Sequence, residues 1–376
     1  MPPIDTAAAL LELEPKWLQP FDVVDPFHGT HLEGFLALKP DHRYGALAIL
    51  QVDGAPVPQR VFATPKLHYP FDRQGTFHFP PVQHIRIYEK LDGTNVCAYR
   101  YRDAAGYFRT TYKLRLHPVL RNGTWGEFLD MWRRMLERHP SIAELPERNR
   151  CSLSFELYGA ENPHLVLYDV PLACALLFGV DEHGGVIPPA DLDAPGVPNA
   201  PLLAELDAGD DPVARYAALR ATLESGLGKL DEGKLSGAEG AVWYVTPQAG
   251  GTVLFKCKPE SVEAIHWAGG INKAAVEATC WNLLETADAL DYEGLAPLLL
   301  EEYAQDELDR FRRHIDDTIR AVNVALAFRR RVLEEYERVG VSLEANKALV
   351  MRALSTRFPR DQMKKVHSII AGRPRR

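Results

Sequence analysis

The sequence predicts an α+β fold in which a small β-rich N-terminal module precedes a mixed body and an all-helical C-terminal domain. Short apolar runs broken by Gly and Pro fill the first 62 residues. Strand-like runs, interrupted by helical patterns, then continue to residue 261. Beyond that point only helical spacing of apolar residues remains. We therefore predict domains at 1–62, 63–261 and 262–376, with antiparallel sheets and helices in the central one.

The predicted elements follow from local patterns. A helix near 6–13 precedes the strands of the N-terminal module. Thr124 and Glu127 form a T-x-x-E capping box, which predicts a helix that Pro140 ends. The stretch 183–212 is rich in Pro, Gly, Asp and Ala, which predicts a surface excursion. The predicted strands of the central domain are Ile85–Glu89, Val96–Arg102, Phe108–Leu114, Ser152–Leu157, Cys174–Val180, Ala241–Thr246 and Thr252–Cys257, and its other helix is Pro212–Ser225.

The C-terminal domain is predicted from a long run of apolar residues at helical spacing. This run spans Leu298–Val339, and Gly340 ends it. Two shorter helices are expected at Ser342–Arg357 and Asp361–Ala371. Residues 310–376 hold 17 Lys or Arg and 7 Asp or Glu, whereas the rest of the chain carries about −18. This asymmetry favours a basic module that binds a polyanion, although a solvated Arg-rich bundle would show the same composition.

Composition narrows the class of protein. The chain has 376 residues, of which 46% are hydrophobic and 25% charged, as in soluble globular proteins of two or three domains. No run reaches the roughly 18 uncharged apolar residues of a membrane span, and the first residues lack the pattern of a secretory signal. The five cysteines are far apart and form no CxxC pair, so we expect buried thiols and neither zinc nor a redox pair. A cytoplasmic protein without a membrane partner is predicted.

The segment Glu89-Lys-Leu-Asp-Gly-Thr-Asn95 lies between two predicted strands. Its rigid neighbours would hold the amine of Lys90, and Gly93 would permit a tight turn and the close approach of a phosphate. A charged hairpin turn would give the same letters, since D-G is a common turn pair. The segment alone therefore indicates a nucleophilic lysine without establishing it.

Four further segments follow in order. Phe155-Glu156 places a carboxylate in an apolar strand, and Leu176–Asp181 is an apolar run that contains Phe178. Glu239-Gly240 begins a strand with a carboxylate. Lys256 and Lys258 alternate, so both should project from one face, and we expect that this face is not core because two ammonium groups are costly to bury.

This ordered set resembles the covalent nucleotidyltransferase superfamily of ATP-dependent ligases and mRNA capping enzymes, across residues 85–258. Lys90-Leu-Asp-Gly is similar to motif I, Phe155–Gly159 to motif III, Leu176–Asp181 to motif IIIa, Glu239-Gly240 to motif IV and Lys256-x-Lys258 to motif V. The resemblance implies a nucleotidyltransferase core like that of the ATP-grasp-like ligases. Thr94-Asn95 and Glu-Leu-Tyr-Gly resemble RNA ligases more than DNA ligases. The helical tail departs from the OB domain of DNA ligases, and some RNA ligases carry such tails.

The resemblance implies ATP as cosubstrate and Mg²⁺ or Mn²⁺ as cofactor. Lys90 would attack the α-phosphate and release pyrophosphate, AMP would pass to an RNA 5′-phosphate, and a 3′-hydroxyl would then expel AMP. The catalytic residues implied are Lys90, Asp92 and Asn95, with Glu239 as metal ligand. The implied nucleotide-binding residues are Glu89, Lys90, Glu156 on ribose, Phe178 on adenine, Glu239, Lys256 and Lys258, with Lys113 and Arg115 as the two candidates for the basic residue of motif Ia.

Several alternatives stay open. A DNA nick ligase, a capping-type guanylyltransferase and a catalytically decayed RNA-binding protein share most of these features. Arg60 and Lys66 would either reach the β and γ phosphates or be ordinary solvated side chains. The helical domain would bind a structured RNA, such as a broken tRNA, or form a homodimer interface. An ATP-dependent RNA ligase with a role in RNA repair is the function that the sequence favours.

Overall fold

The computed structural model divides into two compact units, one of residues 1–269 and 284–288 and one of residues 270–283 and 289–376. The structure describes residues 2–72, 75–122, 127–162, 164, 166–229, 235–262, 271, 276–277, 279–280, 283–284, 290–300, 303, 305–343 and 345–371.

The first unit begins with helix α1 (Pro3–Leu11), which packs on an antiparallel sheet of four strands in the order β1–β2–β3–β4. Pro20 lies in edge strand β1, and Pro56 and Pro58 lie in edge strand β4, where a missing N–H costs little. β1 is not among the predicted strands, because Pro20 and Asp22 interrupt its apolar pattern. The bounds are β1 Leu18–Val24, β2 His31–Ala37, β3 Leu47–Val52 and β4 Ala55–Val61.

Two larger antiparallel sheets form the rest of this unit. Their strand orders are β10–β9–β8–β6–β7 and β11–β5–β14–β15, and β12 and β13 form a separate short ribbon. The bounds are β5 Val82–Lys90, β6 Thr94–Arg102, β7 Phe108–Leu114, β8 Ser152–Tyr158, β9 Ala173–Val180, β10 Val186–Ile187, β11 Leu202–Asp207, β12 Gly228–Lys229, β13 Leu235–Ser236, β14 Gly240–Pro247 and β15 Val253–Cys257. The predicted α+β fold with antiparallel sheets is confirmed.

One face of the five-stranded sheet is covered by helix α2 (Phe128–Arg138) and the short helix α3 (Leu145–Asn149). Trp132, fully buried, packs against Phe155 of β8, with ring centroids 5.5 Å apart. Of the predicted capping box, Thr124 lies outside the described residues. Glu127 is itself the N-cap and makes no side-chain capping bond.

The opposite face of the same sheet carries polar side chains. β6 and β8 pair Asn95 with Glu156 and Cys97 with Ser154. Because neighbouring residues of a strand point to opposite faces, these four side chains share the face turned away from α2. The sheet therefore has one apolar face and one face that can hold a polar site.

The predicted surface excursion at 183–212 is wrong in part. β11 falls inside it and pairs with β5 along the edge of the four-stranded sheet. The sequence does not predict β11 because several of its positions are polar or exposed. An edge strand tolerates such positions, since it needs only one apolar face. Helix α4 (Pro212–Ser225) follows as predicted, and Asp211 caps it by accepting from the backbone N–H groups of Val213 and Ala214.

The second unit is helical throughout its described residues. The longest helix, α7, ends at Gly340, whose φ is +67°, as the predicted stop requires. The α7 side chains Val332 and Phe328 pack against the last two helices. The bounds are α5 Tyr292–Leu299, α6 Gln305–Arg310, α7 Arg312–Val339, α8 Lys347–Ser355 and α9 Met363–Ala371.

The expectation that the cysteines are free, buried thiols is met. All five cysteines are free and buried, at Cys97, Cys151, Cys174, Cys257 and Cys280. Within the part of the chain that the structure describes, every helix is too short or too polar to span a bilayer.

Candidate active site

Neighbouring strand ends bring Lys90 and Glu239 together. β5 ends at Lys90, and β14 begins at Gly240, which pairs with Lys90 in the sheet. Glu239 directly precedes that strand, and its Oε2 accepts a hydrogen bond from Nζ of Lys90. The two residues are far apart in the sequence, and strand pairing alone makes them neighbours.

Lys258 completes this arrangement from the next strand. β15 pairs Cys257 with Ala241 of β14, and Lys258 follows directly. Its Nζ lies 3.2 Å from Oε1 of Glu239. One carboxylate thus holds two ammonium groups, one on each oxygen.

This cluster is largely withdrawn from water. The side chains of Glu239 and Lys258 are each 7% exposed, and that of Lys90 is 22% exposed. Burial by itself raises the pKa of Glu239, but Lys90 and Lys258 outweigh it and hold that pKa well below the ordinary value. Glu239 is therefore ionised at neutral pH, and the trio carries a net charge of +1 that favours an anion.

The expectation for the face of Lys256 and Lys258 is wrong. Both lysines are buried, with 5% and 6% exposure. The cost is offset by partners that a sequence pattern does not reveal. Lys258 pairs with Glu239, and the ammonium of Lys256 lies 4.5 Å from the ring centroid of Tyr69.

Asp92 is fixed by the loop between β8 and β9. Its Oδ2 accepts from the backbone N–H of Val166 at 2.7 Å, and its own N–H donates to the hydroxyl of Tyr168 at 2.7 Å. Burial and then the charge of Glu239 raise the pKa of Asp92 to about 6. Asp92 thus anchors a loop and lies within electrostatic range of the reactive cluster.

Gly93 is needed for a close approach of backbone. A Cβ there would lie 2.3 Å from the carbonyl oxygen of Leu157 in β8. The sequence indicated a phosphate as the approaching group, whereas in the structure the neighbour is a strand. The N–H of Gly93 also donates to Oε1 of Glu156 at 3.1 Å.

Glu156 lies in β8 beside this turn and is 9% exposed. Burial raises its pKa to about 7, against the charges of Lys90 and Arg115. Glu156, Asp92 and Glu239 all influence each other's ionisation, so the site concentrates three carboxylates around the amine of Lys90.

The amide of Asn95 belongs to a hydrogen-bond network. Its Oδ1 accepts from the hydroxyl of Thr64 at 2.7 Å, and its Nδ2 donates to the hydroxyl of Ser154 at 2.8 Å and the carbonyl of Phe155 at 3.2 Å. These bonds tie the segment before β5 to the five-stranded sheet. Phe178 is buried beside Tyr244, with ring centroids 6.3 Å apart.

The two candidates for the basic residue of motif Ia differ. Lys113 is fully buried, and its Nζ donates to the carbonyls of Leu114 and Arg115, both at 2.8 Å. Burial lowers its pKa to about 8. Arg115 is the candidate whose charge acts on Glu156. Of the two candidates, Arg115 therefore shares its electrostatic surroundings with Glu156.

Three further candidates, Glu89, Arg60 and Lys66, have surroundings of their own. Glu89 precedes Lys90 in β5, so its side chain leaves the opposite face of the strand. Arg60 lies over the ring of Phe62 and 3.7 Å from Glu12 at the end of α1. Lys66 is buried, at 9% exposure.

Four contributors have no sequence signal. Thr64 and Ser154 hold Asn95, Tyr69 lies against Lys256, and Tyr168 holds the backbone of Asp92. None belongs to a short motif, because each acts through the tertiary position of its hydroxyl or ring.

The donor chemistry suits a hard divalent cation. Carboxylate oxygens are the ligands that Mg²⁺ and Mn²⁺ prefer, and Mg²⁺ is usually held by one or two carboxylates plus substrate phosphates. Within the described residues, His, Cys, Asp and Glu form no group of three that would cage a metal. Glu239 could instead supply the one carboxylate that holds Mg²⁺ together with substrate phosphates.

No protein-family model and no curated protein matches the sequence. Among solved structures, an archaeal ATP-dependent RNA ligase matches with a TM-score of 0.50 at 14% identity, covering 99% of this chain and 100% of that one. A candidate ATP-dependent DNA ligase from Aquifex aeolicus matches at 0.43 and 12%, covering 85% and 78%. A mutant RNA ligase of Naegleria gruberi with ATP and Mn matches at 0.31 and 16%, covering 48% and 51%. The chain therefore has the fold of the archaeal ATP-dependent RNA ligase.

Proposed function

We propose that the protein is an ATP-dependent RNA ligase that carries AMP on Lys90. The observation that carries this proposal is the buried carboxylate of Glu239, which holds the ammonium groups of Lys90 and Lys258 on its two oxygens. An amine nucleophile, a second cation and a fixed anion within one small site are what nucleotidyl transfer to lysine requires.

In the first step the neutral amine of Lys90 attacks the α-phosphorus of ATP. An N–P bond forms, the bond to the β-phosphate oxygen breaks, and pyrophosphate leaves. The ammonium must first lose a proton, and Asp92, two residues along the same segment and with its pKa raised to about 6, is our choice of acceptor. Lys258 offsets the negative charge that accumulates on the phosphate oxygens.

In the second step an oxygen of the RNA 5′-phosphate attacks the phosphorus of the lysyl adduct. The N–P bond breaks, and the amine of Lys90 takes back a proton. In the third step the 3′-hydroxyl of the other RNA end attacks the 5′-phosphate, loses its proton and expels AMP. Each step uses the same cationic pocket, because each passes charge through a phosphate.

A divalent cation bound through Glu239 would add charge stabilisation on the phosphates. Glu239 is our choice because its carboxylate lies directly beside the amine of Lys90. Arg115 near Glu156 and the buried aromatic Phe178 would bind the nucleoside, in keeping with the predicted roles.

The proposal also names RNA as the acceptor of AMP. Residues 310–376 carry 17 basic and 7 acidic residues, and exposed cations such as Arg330, Lys364 and Lys365 lie on the helical unit. Such a surface suits the phosphate backbone of a structured RNA in need of repair. The same surface would instead join two copies if the protein is a homodimer.

The first experiment tests lysine adenylylation. Purified protein is incubated with ATP labelled on the α-phosphate and with Mg²⁺ or Mn²⁺, and then denatured. We expect label on the wild type and on Lys16→Ala, an exposed control, and none on Lys90→Ala. Covalent label on Lys90→Ala, or its absence from the wild type, would refute the proposal. GTP in place of ATP tests a capping-type activity.

The second experiment identifies the acceptor. Nicked RNA, single-stranded RNA and nicked DNA are offered to protein that has been adenylylated beforehand. Sealing of RNA at a greater rate than DNA is expected. Arg330→Gln with Lys364→Gln and Lys365→Gln should weaken RNA sealing and leave adenylylation intact, whereas a change in sedimentation alone would favour the dimer interface.

A further inference from the structure

The turn between β6 and β7 exposes two aromatic side chains. Tyr107 is 67% exposed and Phe108 is 49% exposed. They lie at the outer end of the five-stranded sheet, where β7 is the edge strand. The two residues are adjacent in the chain, and exposed apolar residues that cluster can mark a contact surface.

Two arginine side chains lie against the ring of Phe108. The guanidinium carbons of Arg100 and Arg102 lie 4.5 Å and 5.1 Å from the ring centroid of Phe108. Arg100 also pairs with Glu147, whereas Arg102 forms no ion pair with any described residue. The surface therefore combines the exposed ring of Tyr107 with the positive charge of Arg102, which lies against Phe108.

Asp103 holds the tip in one conformation. Its Oδ1 accepts from the N–H groups of Ala105 and Tyr107, at 3.0 Å and 2.8 Å. Its Oδ2 accepts from Nε of Arg109 at 2.9 Å. Because these bonds order the turn in advance, a ligand that stacks on Tyr107 loses little conformational entropy on binding.

We infer that this hairpin tip binds an unpaired strand of the RNA substrate, by stacking of a base on Tyr107 and by contact of Arg102, which Phe108 supports, with the phosphate backbone. This inference rests on the proposed function and extends it to a second contact site. Aromatic faces flanked by arginine suit single-stranded nucleic acid, because every base has a π-face and every linkage carries a negative charge.

The distance from the active site sets a length requirement. β6 runs from Thr94, close to Lys90, to Arg102 at the hairpin tip. Nine residues of strand at about 3.3 Å each span roughly 30 Å. Arg102 and Asn95 lie on opposite faces of β6, so the RNA must pass around the sheet edge. At about 3.4 Å per nucleotide in a stacked strand, it must extend more than roughly nine nucleotides from the reacting end to reach Tyr107.

The test uses the full-length protein without ATP and a fluorescent 20-nucleotide single-stranded RNA. In fluorescence anisotropy, the double variant Tyr107→Ala and Phe108→Ala should bind about tenfold to a hundredfold more weakly. Arg102→Gln should reduce the slope of log K against log salt by about 1. Val24→Ala, which changes another exposed apolar residue, and Arg215→Gln, an exposed arginine on α4, should bind as the wild type does.

Three readouts separate the outcomes. Thermal melting and lysine labelling with ATP establish that each variant is folded, and failure of labelling in the wild type would refute the proposed function without touching the binding result. Unchanged affinity and salt slope in the hairpin variants would overturn the inference. So would unchanged RNA binding together with an altered sedimentation coefficient, which would show that the tip contacts protein. Finally, the hairpin variants should bind a five-nucleotide RNA as the wild type does, if that RNA has a 5′-phosphate.

Discussion

The ammonium group of Lys258 lies 3.2 Å from Oε1 of Glu239, the carboxylate whose other oxygen accepts from Lys90. This contact joins the residue after β15 to the residue before β14. It leaves the pocket with a surplus cation, and the reaction proposed here depends on that cation.

Removal of the surplus cation should slow adenylylation with little loss of fold. Lys258→Met leaves Glu239 paired with Lys90 but takes away the charge that stabilises the phosphate in the transition state. We expect the single-turnover rate of label transfer from ATP to fall about a hundredfold to a thousandfold. Lys16→Met serves as the matched control, since that lysine is exposed. A Lys258→Met protein that reacts at the wild-type rate would exclude this role.

Loss of the central carboxylate should be costly and dependent on pH. Glu239→Gln leaves two buried ammonium groups without their anion, so the free energy of unfolding at pH 7 should fall by about 3 kcal/mol. The pKa of Glu239 is about 2 in the folded protein, below the ordinary value of about 4.3. The stability contributed by its ionised form is therefore present above pH 4.3 and lost as pH falls toward 2.

Urea denaturation between pH 7 and pH 3 measures the difference in unfolding free energy between the wild type and Glu239→Gln. The gap between wild type and Glu239→Gln should narrow below about pH 4.3. Glu182→Gln, which changes an exposed carboxylate, should show no such gap. If the difference in unfolding free energy between the wild type and Glu239→Gln stays constant down to pH 3, the carboxylate of Glu239 does not stabilise the fold in this way.

Glu156 should have the opposite dependence on pH. Its pKa is raised to about 7, chiefly by burial, so the folded protein binds that proton more tightly than the unfolded chain. The stability contributed by the protonated carboxyl of Glu156 is therefore fully present below about pH 4.3 and is lost as the pH rises through 7. Glu156→Gln removes this titration, so its unfolding free energy should rise relative to that of the wild type by about 3–4 kcal/mol as the pH goes from 4 to 8. If the unfolding free energies of the two proteins change in parallel with pH, the pKa of Glu156 is not raised in the folded protein.

Tyr168 should position motif I through one hydrogen bond. Tyr168→Phe removes the acceptor for the N–H of Asp92, and we expect a loss of about 1 kcal/mol in unfolding free energy. Adenylylation should slow several-fold through kcat, with an unchanged KM for ATP, because the loop orients Asp92 beside the reactive amine. Tyr158→Phe is the control, since the two rings pack 4.8 Å apart. Equal kinetics for both variants would show that the bond has no such role.

Gly93 should not tolerate a side chain. Gly93→Ala places a Cβ 2.3 Å from the carbonyl of Leu157, which forces the turn before β6 away from β8 and strains the hydrogen bond from Gly93 N–H to Glu156. We expect a drop of several degrees in Tm and loss of labelling by ATP. Gly209→Ala, with no atom within 4 Å of the added Cβ, should melt within a degree or two of the wild type. A stable and active Gly93→Ala would rule out the close approach.

The predicted strands Phe108–Leu114 and Ser152–Leu157 illustrate what sequence reveals well. β7 matches its prediction, and β8 extends its own by one residue, because both segments concentrate β-branched, aromatic and aliphatic residues that favour strands. β1 and β11 were harder to predict. Both are edge strands with weak alternation, and partners distant in sequence stabilise them.

The sequence by itself determined the α+β organisation, the helical C-terminal unit and the order of reactive residues around Lys90, since periodicity and short motifs are properties of neighbouring positions. Only the tertiary structure decided that Lys258 is buried and paired, that Tyr168 holds Asp92, and that Tyr107 and Phe108 are exposed among arginines. Burial and pairing depend on which strands meet, and strand register is set by contacts between distant parts of the chain.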